Sequence, residues 1–172
     1  MKKLLYLFLT CLFLAGCRGN RYYLDKVESL WGVDYDSVQH YLLKVDSASL
    51  TQEDALDYYY FRMKASYAYL MAMEKNQLDS LIGLMKERYP KGHERAFDAR
   101  FLQLVYYYNR LDDMKVADGL ADESREYIRN KLDSSFWYRY KYLLKFYQSE
   151  GDSALHYLNE AAAFRLFNEA RI

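Results

Sequence analysis

Gly151-Asp152-Ser153-Ala154-Leu155-His156-Tyr157-Leu158-Asn159-Glu160-Ala161 is the stretch from which the fold is read. Asp152 offers a side-chain oxygen to the orphan amides of a first helical turn, and Ala154, Leu158 and Ala161 recur at spacings of four and three. That is an amphipathic helix opening on an aspartate after a glycine break.

Similar openings stand at Tyr35-Asp36-Ser37-Val38, Leu78-Asp79-Ser80-Leu81 and Leu111-Asp112-Asp113-Met114. The Asp-to-Asp steps are 43, 33 and 39 residues (36 to 79, 79 to 112, 113 to 152). They bracket the length of a helix-turn-helix repeat, whose lone pairs cannot bury an apolar face and must stack on one another.

Working outward, the spacing predicts a first helix over 22–31, ended by Gly32, and a second opening at Asp34 or Asp36 with Val38, Tyr41, Leu42 and Val45 on one face. Thr51 and Asp54 stand at capping-box spacing before one long helix over about 52–74. Leu78, Leu81, Ile82 and Met85 form the stripe of a fourth helix that ends before Pro90-Lys91-Gly92. Further helices are predicted over 94–108, 114–131 and 134–149, and an eighth from Asp152. One Pro, 7 Gly and no alternating strand-like runs agree with an all-α chain.

Residues 151–161 look like the opening of a tetratricopeptide helix pair. Together with the leader, 35–46, Leu50-Thr51 and 55–59, they resemble the tetratricopeptide-like lipoproteins and periplasmic sensor regions of Bacteroidetes, over most of residues 24–162. No copy carries the full consensus, its Trp-Leu-Gly part is missing, and the spacing is irregular. The resemblance implies an α-solenoid of antiparallel helix pairs with a right-handed superhelix, formed by a single domain over 22–172, with protein or peptide binding as its use.

The amino terminus carries a second resemblance. Met1-Lys2-Lys3 is followed by an apolar run over 4–15, too short to span a bilayer, and by Leu14-Ala15-Gly16-Cys17. The last four residues resemble the bacterial lipobox, which implies removal of residues 1–16, lipid of the palmitate type on Cys17 and a short tether over 17–21. Two acyl chains give stable anchoring where one is marginal. The residues after Cys17 lack both the Asp that often marks inner-membrane retention and the acidic surface-export cluster. The family default is therefore the periplasmic face of the outer membrane.

Composition bounds the partners. Without residues 1–16, 22 basic residues face 24 acidic ones, because Lys2 and Lys3 leave with the leader. A net charge near −2 argues against a nucleic-acid partner, which needs a basic surface. Cys11 also leaves and Cys17 takes lipid, so no disulfide and no cysteine-ligated metal are expected.

Chemistry for a reaction is sparse. His40, His93 and His156 each lack a helical-spaced His or Cys partner, and acidic pairs such as Asp112-Asp113 suit helix starts. There is no glycine-rich phosphate loop, no Gly-x-Ser-x-Gly and no zinc-protease helix, so neither an enzyme nor a cofactor is expected. The 20 Tyr are the informative oddity. Tyr59, Tyr67, Tyr106, Tyr107, Trp137 and Tyr138 are candidates for a binding surface, since such rings give rigid amphipathic contact area. The alternative is that these rings fill helix–helix joints. The function expected is a membrane-anchored scaffold for an envelope protein or peptide; the rival is a sensory accessory that binds a small ligand or glycan.

Overall fold

The computed structural model describes residues 19–169, which hold nine α-helices, one 3-10 turn and no strand. The leader and Cys17 lie outside the described residues. The helices fall into two compact units, one ending at Ala65 and the other beginning at Ser66. No described helix is long and apolar enough to cross a membrane.

The first unit contains α1 (Asn20–Leu30), α2 (Tyr35–Leu42), a 3-10 turn (Ser47–Ser49) and α3 (Gln52–Ala65). Helix α1 packs on α2 and α3, and Leu24, Val27, Val38, Leu42, Phe61 and Met63 form the core. The helix starts follow side-chain chemistry. Asp34 accepts from the Ser37 amide at 3.1 Å, and Thr51 Oγ1 accepts from the Asp54 amide at 3.1 Å. Gly32 ends α1 at φ 76, a left-handed conformation that glycine adopts without Cβ strain.

Helices α1 and α3 run in the same direction. At the start of α1, Arg21 donates to Asp57 of α3 at 2.8 Å; past its end, Trp31 lies on Phe61, one turn further along α3, with ring centroids 5.2 Å apart. Asp57 is only 3% exposed, so the guanidinium offsets a charge that burial would otherwise penalise.

The second unit contains α4 (Tyr67–Ala72), α5 (Lys75–Arg88), α6 (Ala96–Asn109), α7 (Met114–Arg125), α8 (Lys131–Tyr147) and α9 (Gly151–Glu169). Each of α5 to α8 packs on the next helix in the chain, and α4 packs on α6. Leu78, Ile82 and Met85 are at most 1% exposed, each burial contributing about 1.5–3 kcal/mol. Asp113 caps α7 through the Val116 amide at 3.1 Å, and Asn130 caps α8 through the Asp133 amide at 2.9 Å.

Two expectations about elements are corrected. The long helix expected over about 52–74 is two helices, because Ser66 turns extended (φ −143, ψ 106) and its Oγ accepts from the Tyr69 amide at 3.1 Å. One hydroxyl thus ends one helix and starts another. The aspartates counted as repeat markers are also not equivalent. Asp113 is a cap, Asp36 and Asp152 lie in first turns, but Asp79 stands inside α5. Asp79 instead accepts from Lys75, Gln103 and Tyr107.

Candidate functional site

Three of the six candidate rings are core residues and offer no binding surface. Tyr106 is 2% exposed and its hydroxyl donates to the Met73 carbonyl at 2.8 Å. Tyr107 is 6% exposed and donates to Asp79 at 2.8 Å. Trp137 is buried, with Nε1 donating to the Ala121 carbonyl at 2.7 Å. Each buries its ring at a helix joint and spends its polar atom on a partner there, which is what burying an amphipathic ring requires. Tyr59 in the first unit is half-buried, edge-on to Tyr58. Tyr138 is half-buried in the second unit, edge-on to Trp137 at 5.1 Å. Tyr67 is exposed.

The second unit nonetheless carries an aromatic surface, built from rings other than the six candidates. Phe101 and Tyr108 stand seven residues apart on α6. On α8, Phe136, Tyr140, Leu143 and Tyr147 recur at four, three and four. Phe101 lies 5.9 Å from Phe136 and 5.0 Å from Tyr140; Tyr108 lies 5.5 Å from Tyr140 and 6.0 Å from Tyr147. The run of rings therefore crosses between α6 and α8 without a gap. Its inner members, Phe101, Tyr108 and Tyr140, are half-buried, while Phe136 and Tyr147 are 42% and 61% exposed. Leu132 on the same helix is exposed as well. Contiguous exposed apolar area of this kind marks an interaction site more often than scattered residues do.

The Tyr108 hydroxyl adds no charge to the face. Burial, followed by the neighbouring Tyr147 phenol, pushes the Tyr108 hydroxyl up to about 12, so it stays a neutral donor at any physiological pH.

Charge is concentrated elsewhere, between α7 and α8. Lys141 is 2% exposed, and its ammonium donates to Asp118 and Asp122; Lys145 donates to Asp118 at 2.9 Å. Burial works against the Asp118 charge, but the two lysines outweigh it and hold the carboxyl below its usual range. The same opposition holds for Asp79, where burial is outweighed by Lys75, Gln103 and Tyr107.

These two carboxylates set an acid limit on stability. A carboxyl whose folded pKa lies below its unfolded value of about 3.9 stabilises the fold above that pH and ceases to do so as pH falls through the folded value. The second unit is expected to keep a flat denaturation midpoint from about pH 5 to 8 and to lose it below about pH 4. Asp118→Asn should lower the neutral midpoint and flatten the acid limb. Urea melts followed by circular dichroism check this; an unchanged acid limb in the variant would exclude Asp118 as a contributor.

The histidines do not converge on a ligand. His40 is exposed, edge-on to Tyr41; His93 stacks on Tyr89 at 4.7 Å, with Nδ1 accepting from the Arg95 amide; His156 is exposed beside Tyr157. Among the described residues no group of three metal-ligating side chains comes together. Comparison with protein-family models, with curated proteins and with solved structures finds no match.

Proposed function

We propose that the protein is a lipid-anchored scaffold of the bacterial envelope, which holds an extended segment of another protein against the aromatic face of α6 and α8. The helices would stack as tetratricopeptide-like antiparallel pairs in a right-handed solenoid, and the outer membrane's periplasmic face would be its site. The observation that carries this reading is the unbroken run of rings from Phe136 through Phe101, Tyr140 and Tyr108 to Tyr147, exposed at both ends. Large rigid rings with polar edges dominate binding energy at protein interfaces. Support for the anchor is the lipobox-like Leu14-Ala15-Gly16-Cys17. The function is one of shape and contact, with no reaction and no cofactor beyond the lipid.

A glycan is the second reading, because Tyr108 and Tyr147 bring their hydroxyls together and Tyr140 adds a third ring. The test places a photo-crosslinking amino acid at Leu143 in cells and identifies what it captures. A protein adduct that falls at least tenfold when Phe136→Ala and Tyr147→Ala are combined supports the scaffold, since two anchors at about 2 kcal/mol each are ample for that loss. Because both rings are exposed, the double variant should keep its fold. A captured glycan favours the sensor reading. A protein adduct of unchanged yield removes this face from consideration.

A further inference from the structure

We infer that the end of the first unit formed by Asn20, Arg21 and the turn 46–52 is a membrane-apposed face, seated on a zwitterionic phospholipid headgroup layer. The inference rests on the proposal that Cys17 is lipidated.

Two residues, Arg18 and Gly19, separate Cys17 from the start of α1 at Asn20, a distance of three residue steps. At about 3.5 Å per residue the link spans at most about 10 Å. The headgroup region of one leaflet is itself about 6 Å thick, so the first helical residue stays within about 4 Å of the headgroups.

What makes this a face is how Asn20 is held. Its Nδ2 donates to the Asp46 carbonyl at 3.0 Å and to Ser49 Oγ at 3.1 Å, and its Oδ1 accepts from the Asp46 amide at 2.8 Å. One side chain clamps the turn 46–49 to the point where the chain emerges from the lipid. The next residue, Arg21, ties the same end to Asp25, Asp54 and Asp57. An anchor followed directly by such a clamp orients the unit, whereas a loose tether would leave it free to tumble.

The chemistry of the face names the lipid. Ser47, Ala48, Ser49, Thr51 and Gln52 are exposed, small or neutral, and rich in hydrogen-bond groups. Its charge is in acidic surplus. Among the described residues the Asp46 carboxylate accepts only from the Ala48 amide and Ser49 Oγ, and the single guanidinium of Arg21 faces three carboxylates, Asp25, Asp54 and Asp57. An acidic surface is repelled by an anionic membrane and suits a zwitterionic one. The opposite end is marked by Val33, 80% exposed, just past the far end of α1. Eleven residues of helix at 1.5 Å each put it about 16 Å from the clamp.

The test uses the lipidated full-length protein in phosphatidylethanolamine–phosphatidylcholine vesicles, with a nitroxide spin label on Ala48→Cys or, separately, on Val33→Cys. Collision with a water-soluble nickel chelate is compared with collision with oxygen. The expected result is several-fold protection of the Ala48 label from nickel relative to the Val33 label. Asn20→Ala, which removes the clamp and keeps the anchor, should erase that difference. Equal nickel access at both labels in protein that sediments with the vesicles overturns the inference and leaves the anchor standing. Protein that neither sediments nor carries acyl mass on Cys17 overturns both.

Discussion

Trp137→Ala is expected to lower the melting temperature of the second unit by roughly 15 °C or more. The indole is 2% exposed, edge-on to Tyr138 and Tyr157, with the Arg125 guanidinium 5.4 Å from its ring centroid. Truncation removes buried apolar area and leaves a cavity, together about 3–5 kcal/mol, and each kcal/mol is worth about 4–8 °C in a unit of this size. The lost hydrogen bond adds little, because Ser124 also donates to the Ala121 carbonyl. Trp137→Phe keeps most of the ring and loses the N–H, and should cost only about 1–2 kcal/mol. Thermal melts by far-ultraviolet circular dichroism read both variants. A Trp137→Ala melt within about 3 °C of wild type would contradict the burial on which the core assignment rests.

Cys17→Ala should have the largest effect on location. If the lipobox-like residues act as proposed, the variant lacks the sulfur that carries lipid. The protein should then accumulate as an uncut precursor or leave the membrane. With at least two acyl chains gone, at about 0.8 kcal/mol per buried methylene, no residual affinity of the polypeptide makes up the difference. Fractionation with mass measurement distinguishes these outcomes, and a variant still cut before residue 17 and still membrane-bound would refute the anchor.

The helical character of the chain was legible because its signals are local. Side-chain caps such as Asp34, Thr51, Asp113 and Asn130 act within three residues, and the stripe of Leu78, Ile82 and Met85 lies on one helix face. The break at Ser66 was not legible, since apolar spacing continues across it and a single hydroxyl decides between continuing and restarting. That Tyr106, Tyr107 and Trp137 lie in the core was hidden for a longer-range reason. Trp137, Lys141 and Leu144 share the buried stripe of α8, and a lysine there reads as solvent-facing until Asp118 and Asp122 of α7 are brought to it. Once Lys141 is inside, Trp137 is core, and the face of Phe136, Tyr140 and Tyr147 is the one left outward. Each half of that aromatic run is visible as helical spacing; that α6 and α8 place their rings together is tertiary information.

The two tryptophans are divided one to each unit, Trp31 on Phe61 beneath the Lys64 ammonium and Trp137 in the joint of α7 and α8. The protein thus carries its own pair of optical reporters. With one indole changed to phenylalanine, intrinsic fluorescence follows a single unit. Whether the two units melt together or separately can then be read without attaching a dye.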